Sequence, residues 1–118
     1  IADLLIINAD TAYLIDYKTG KSAQYADTKQ LELLSLAVFR HFPQVKRVKA
    51  GLLFVVSKEF VQAEYDVDGQ KDSWLTWFGE INRLDSCYEN DTWNAKPNFS
   101  CHRFCPVKDC EHNGKSGR

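Results

Sequence analysis

Asp16 and Lys18 close an apolar run, Ala12 to Tyr17, that reads as a β-strand. Strand side chains alternate faces, so the two ionisable groups point to the same side. An acid and a base on so apolar a strand are unusual, because a desolvated charge costs free energy unless it is paired or metal-bound. The plainer reading is a local ion pair at a strand end, just before a Thr19-Gly20 turn. Asp3 shifts the balance. Asp3-Leu4-Leu5-Ile6-Ile7 is a second apolar run, and Asn8-Ala9-Asp10-Thr11 is a turn between the two. A hairpin closed symmetrically about Ala9 and Asp10 sets Asn8 against Thr11, Ile7 against Ala12 and Asp3 against Asp16. Directly opposed like charges destabilise a hairpin. Two carboxylates converging beside a lysine therefore call for a cation, and such an oxygen site suits Mg²⁺ or Mn²⁺.

The second reactive stretch is the carboxy-terminal tail. Cys101-x₃-Cys105-x₄-Cys110, with His102 and His112 interleaved and Cys87 upstream, places three of the four cysteines within ten residues. In a chain with no export signal, clustered cysteines point to metal rather than disulfides. The spacing misses the common Cys-x₂-Cys knuckle. One ligand set is zinc held by Cys101, Cys105, Cys110 and either His112 or Cys87. The plainer alternative is a group of free, partly buried thiols.

The elements that must position these residues follow from periodicity. After the hairpin, residues 20–26 form a polar connection, and Asp27 or Thr28 caps a helix carrying Leu31, Leu34, Val38 and Phe42 at helical spacing. Pro43 ends it. Gln30 shares a face with Leu33, Leu34 and Ala37, which predicts that it points toward a packed surface. Residues 48–57 read as a central strand apolar on both faces and covered on two sides. Strand, helix and strand then form a βαβ crossover, expected to be right-handed. Residues 60–67 read as an edge strand, and Asp66-Val67-Asp68-Gly69 as a turn. Asp72 or Ser73 caps a second helix whose stripe of Trp74, Trp77, Phe78, Ile81, Leu84 and Tyr88 is predicted to be core or packing surface.

Asp3, then Asp16-Tyr17-Lys18-Thr19-Gly20, then Gln30 opening a helix together resemble the RecB-like branch of the PD-(D/E)XK nuclease superfamily. The resemblance covers roughly the first half of the chain, and the DYKTG string is its most specific part. Leu34 stands where the family's Gln-x-x-x-Tyr motif has tyrosine, so that motif is half present. The resemblance implies an α/β, restriction-endonuclease-like core, a short mixed β-sheet flanked by helices. It also implies roles: Asp3 and Asp16 as metal ligands with the carbonyl of Tyr17, Lys18 orienting the attacking water or stabilising the developing negative charge, and Gln30 helping to position the metal site or substrate. Several RecB-like nucleases carry three carboxy-terminal cysteines that bind a 4Fe-4S cluster with a fourth cysteine ahead of the core. Cys101, Cys105 and Cys110 resemble that layout. The family core normally starts with a helix and a strand upstream of Asp3. The amino-terminal part of the domain, with a further acidic ligand, is therefore expected to be missing.

Composition bounds the rest. With 118 residues, 44% of them hydrophobic, the chain can build one modest core and not two. Residues 1–92 are expected to form the nuclease core and 93–118 a cysteine-rich tail. No apolar run approaches transmembrane length, and Ile1 to Ile7 is too short for a signal peptide, so no membrane partner and a cytoplasmic location are expected. The net charge of −1 gives no global field toward nucleic acid. Local basic spots are Lys46, Arg47 and Lys49, and the tail residues Lys96, Arg103, Lys108, Lys115 and Arg118, both read as solvated surface. The function that the resemblance implies is divalent-metal-dependent hydrolysis of DNA, as an exonuclease in recombination or repair with a helicase or recombination partner. The competing readings are an inactive nuclease-like DNA-binding or structural module stabilised by a Cys-bound metal, and a zinc-stabilised binding module.

Overall fold

A computed structural model of the chain describes residues 1–24 and 26–114. Tyr25 of the polar connection, and Lys115 and Arg118 of the basic tail, lie outside the described residues. The chain divides into two compact units, residues 1–81 and 82–118. The division falls inside a helix, whereas the sequence places the core–tail boundary at residue 92.

The first unit is built on a four-stranded mixed sheet of order β1-β2-β3-β4. β1 (Leu4–Asn8) pairs antiparallel with β2 (Thr11–Lys18), and β2 pairs parallel with β3 (Arg47–Phe54). β4 (Glu59–Asp66) closes the far edge, antiparallel to β3. The hairpin register is the one its turn dictates, from Asn8 opposite Thr11 to Leu4 opposite Ile15. Ala9 makes that turn at φ 54°, a left-handed conformation unfavourable for a residue with a Cβ. The Asp10 carbonyl accepts the N–H groups of Lys46 and Arg47 at 2.6 and 3.2 Å, which fastens the turn to the start of β3.

Helix α1 (Lys29–His41) crosses from β2 to β3 and covers one face of the sheet. Its buried line is Leu31, Ser35, Leu36, Val38 and Phe39. Leu33 and Ala37 are exposed, so the packed face predicted around Gln30, Leu33 and Ala37 is corrected. The reason is Ser35, a polar residue that is buried because its hydroxyl donates to the Leu31 carbonyl at 2.7 Å. Counting only apolar positions rotated the inferred face. Beneath α1 lie Ala12, Leu14, Val48, Ala50 and Leu52, all at most 4% exposed. Tyr65 donates to the Thr28 carbonyl at 3.3 Å. Burial pushes its phenol above the ordinary value and the Glu32 charge adds to this, against the opposing effect of that hydrogen bond.

Four further expectations are revised. β3 ends at Phe54, not Ser57, because β4 pairs back at once and Lys58 turns the chain at φ 59°. Val55 and Val56 have high strand propensity but sit exposed in that turn. Nor is β3 covered on both sides: the opposite sheet face carries Ile6, Tyr13, Tyr17 and Phe60, all exposed. The second helix, α2 (Gln70–Asn90), begins two residues before the predicted cap, directly after a 3₁₀ turn at Val67–Gly69. None of its residues is buried, so the aromatic stripe is not core. Within the first unit Trp74 stacks on Phe78 at 5.7 Å, and Trp77 Nε1 donates to Glu32 at 2.8 Å.

In the second unit, Tyr88 and Trp93 meet edge to face at 4.7 Å. A short helix, α3 (Phe99–Arg103), is capped by Asn98, whose side chain accepts the Ser100 N–H.

The strain at Ala9 is open to test. Ala9→Gly should raise stability by about 0.5–1 kcal/mol, the left-handed penalty removed less the extra entropy of the unfolded glycine. Chemical denaturation should show a higher midpoint at unchanged slope. A lower midpoint would mean that the turn carries no such strain.

Candidate active site

The hairpin register carries Asp16 to the α1 side of the sheet, one residue past the Leu4–Ile15 pair and two residues before the end of β2. Leu14, Asp16 and Lys18 alternate with Tyr13, Ile15 and Tyr17, so Asp16 and Lys18 share the covered face. Asp16 is only 5% exposed. Its Oδ2 lies 2.7 Å from Lys18 Nζ, and its Oδ1 accepts from Gln30 Nε2 at 3.3 Å. Lys18 Nζ in turn donates to Gln30 Oε1 at 2.9 Å. The three side chains thus form a closed ring. Gln30 reaches it from the first turn of α1, although its own face of the helix is exposed.

Asp3 arrives where the register sends it, one step beyond the Leu4–Ile15 pair. Its carboxylate does not simply oppose that of Asp16. Asp3 Oδ2 accepts the backbone N–H of Tyr17 at 2.8 Å, and Asp16 is neutralised by Lys18. The like-charge strain anticipated from the sequence is therefore relieved by these two partners.

The site fits a hard cation in one respect that the sequence does not reveal. Asp16 Oδ2 is buried, is ion-paired with Lys18 Nζ at 2.7 Å and makes no other contact with a hydrogen-bond donor among the described residues. A buried carboxylate oxygen held by one ammonium is of the hard oxygen type that such a cation prefers. Among the described residues, no group of three or more His, Cys, Asp or Glu converges as a metal site. The oxygen set available here is accordingly small: Asp16, Asp3 and backbone carbonyls.

Several neighbours escaped the sequence reading. Asp27, Leu52 and Phe54, with Ala26, line a cavity beside Lys18 and Gln30. Asp27 reads from the sequence only as a helix cap, and it does accept the Lys29 N–H at 2.9 Å. Leu52 and Phe54 read only as core. Their placement depends on the parallel pairing of β3 with β2, which sets Leu52 beside Asp16 and Phe54 beside Lys18. The basic triplet is at the other end of that ladder. Arg47 pairs with Thr11, about 16 Å along the strand from the Asp16 level at about 3.3 Å per residue. Arg47 is also engaged by Glu64 and Asp66 at 3.2 and 3.4 Å.

The tail cysteines are gathered by their backbone rather than by their sulfurs. Asn113, 5% exposed, donates from its side chain to the carbonyls of Cys105 and Val107, and from its backbone to Cys110. The next N–H, of Gly114, donates to Cys101 at 3.1 Å. A Cβ at Gly114 would lie 2.7 Å from the His102 Cα, so only glycine fits there. Cys87, Cys101, Cys105 and Cys110 are all free and half-buried. Together with His112 they do not form an assembled ligand set.

A family model of the PD-(D/E)XK nuclease superfamily matches residues 1–110, through α2 and as far as Cys110. No curated protein and no solved structure matches the chain. Among the described residues no helix is long and apolar enough to cross a membrane. Enzymes of this superfamily are nucleases and generally use divalent metals. The mixed sheet flanked by helices accords with their restriction-endonuclease-like fold. With its Asp16–Lys18–Gln30 ring at the end of the central strands and a family match over nearly its whole length, the chain belongs to the PD-(D/E)XK nuclease superfamily.

Proposed function

We propose that the protein is a divalent-metal-dependent deoxyribonuclease of the RecB-like branch, acting as an exonuclease in recombination or repair. The observation that carries this reading is the buried carboxylate of Asp16, paired with Lys18 at 2.7 Å and close to Asp3 in the chain's register. A scaffold has no need of a carboxylate buried in this way. That argues against an inactive module.

In this reading Asp3, Asp16 and the carbonyl of Tyr17 hold Mg²⁺ or Mn²⁺. Such an ion, when bound, supplies polarisation of the phosphoryl oxygen and a more acidic water. The chain's own residues do the positioning. Lys18, whose side chain is 36% exposed, places its ammonium where negative charge develops on the phosphorus-bound oxygens. Gln30 holds both Lys18 and Asp16, so it fixes the ammonium relative to the carboxylate. Asp3 anchors the backbone at Tyr17. DNA is the substrate, and a helicase or recombination partner and a cytoplasmic location belong to the same reading.

The tail is read as a soft-metal site, zinc or a 4Fe-4S cluster, with Cys101, Cys105 and Cys110 as thiolate ligands and Cys87 or His112 as candidates for the fourth position. Its support is the Asn113–Gly114 clasp, which ties the carbonyls of all three cysteines together. Protein purified without chelator should carry zinc or iron, and Asn113→Ala should carry less while its three cysteines react faster with a thiol reagent. Metal-free wild-type protein with three freely reactive thiols would contradict the tail assignment.

For the active site, Lys18→Ala should lower Mg²⁺-dependent cleavage of DNA by about 10²–10³-fold, the range seen when one charge-stabilising donor is removed. Asp16→Asn should lower it at least as far. Because Asp16 now appears as the partner of Lys18, its replacement should cost about 1 kcal/mol of stability rather than relieve repulsion. Initial rates on labelled DNA, with circular dichroism to confirm folding, decide the matter. Cleavage at the wild-type rate by folded Asp16→Asn protein would end the nuclease assignment.

A further inference from the structure

Within the first unit, Trp77 of α2 donates to Glu32 of α1 at 2.8 Å, which ties the two helices together. They also leave between them an open groove of about 650 Å³. One wall is Leu33, Leu34 and Ala37 of α1, and the other is Gln70, Trp74 and Phe78 of α2. Leu33 and Ala37 lie outside the buried line of α1, so the core makes no use of them. Leu33 and Phe78 are 41% and 50% exposed, which leaves both walls open to an occupant. Arg40 and His41, in the last turn of α1, complete the lining. They are its only basic residues and it has no acidic one. Among the described residues neither forms an ion pair or a side-chain hydrogen bond. From Leu33 to His41 the groove follows α1 for about 12 Å at 1.5 Å per residue.

This lining selects among occupants. A nucleic-acid strand carries a charge at every step, and beyond Arg40 and His41 the walls offer its phosphates no cation. Trp74 and Phe78 stack on each other at 5.7 Å, so the faces they share are taken. A second copy of the chain needs about 20–30 residues on each side, against eight here. An extended peptide would turn its backbone N–H and C=O groups onto apolar walls in which Gln70 is the one uncharged polar side chain. A helix satisfies its own backbone and offers side chains at i, i+3, i+4 and i+7 to such a groove. We propose that the groove docks an amphipathic helix of a partner protein, with apolar side chains against Leu33, Leu34 and Phe78 and an acidic residue at Arg40. Gln30 lies one turn before Leu34 on α1, so this surface adjoins the catalytic ring without including it, and docking needs no nuclease activity.

The probe is a synthetic amphipathic peptide of about 18 residues, long enough to hold a helix, with leucines at helical spacing and glutamates along one flank. A second peptide has lysine for glutamate, and a third has a central proline that breaks the helix. Labelled peptides are titrated with the full chain and read by fluorescence anisotropy. The chain's net charge of −1 gives no general attraction for an acidic peptide, so a preference for it is local. The glutamate peptide should bind about fivefold tighter than the lysine one, the upper scale of one exposed ion pair. Arg40→Glu should reverse that order. Leu33→Ala, at an exposed helix position that alanine suits, should weaken both by about fivefold with an unchanged circular dichroism spectrum. Equal binding of the two charged peptides, undiminished binding of the proline version, or an unchanged preference in folded Arg40→Glu would overturn the proposal. So would displacement of the peptide by single-stranded DNA, which would make the groove a nucleic-acid surface. A dimer in sedimentation that Leu33→Ala dissociates would also overturn it, by giving the groove to a second copy.

Discussion

A carboxylate that is 95% removed from water is stable only if its charge is answered locally, and the folding of the first unit can be understood from that requirement at Asp16. Lys18 answers the charge from two residues along the same strand, and Gln30 answers one oxygen from the first turn of α1. Gln30 could not reach Asp16 unless β2 and α1 were locked together. The lock is the apolar layer of Leu14, Leu31, Val38 and Leu52 that α1 presses onto the sheet. The burial that makes Asp16 costly is thus the same burial that brings its partners within reach. One of its oxygens is held by the Lys18 ion pair alone.

Some of this geometry was legible in the sequence because it follows from strong local rules. A two-residue turn between two apolar runs allows one register that keeps both runs facing the core, and the pairing follows it from Asn8 to Leu4. The common face of Asp16 and Lys18 follows from strand alternation alone. The use of Asp3 on the Tyr17 N–H did not follow, since a carboxylate next to another can be relieved by a cation, a backbone donor or a proton, and the sequence does not choose among them. The buried face of α1 was misjudged because Ser35 satisfies itself on the preceding turn and so behaves as an apolar residue. Val55 and Val56 misled in the opposite way. Their strand propensity is real, yet the antiparallel return of β4 decides where β3 ends. The α2 stripe has the right period but no buried residue, so periodicity there marks an amphipathic surface and not a core.

The tail shows a different limit. Cysteine spacing announces a thiolate-rich segment, but nothing in that spacing points to Asn113. Its role emerges only from folding, where the side chain and backbone N–H of Asn113 and the backbone N–H of the adjacent glycine collect three cysteine carbonyls. An Asn-Gly pair reads from sequence as an ordinary turn signal. Here the glycine is required by close approach to His102 rather than by turn geometry.

The central claim is that Asp16 is a metal ligand and Lys18 is not. Thermal unfolding with and without Mg²⁺ separates the two directly. A ligand at one hundred times its dissociation constant stabilises the folded state by about 2.7 kcal/mol. The account predicts that wild-type protein and Lys18→Ala both melt higher in Mg²⁺, reversibly on chelation, and that Asp16→Asn shows no shift. An equal Mg²⁺-induced shift in Asp16→Asn would contradict it.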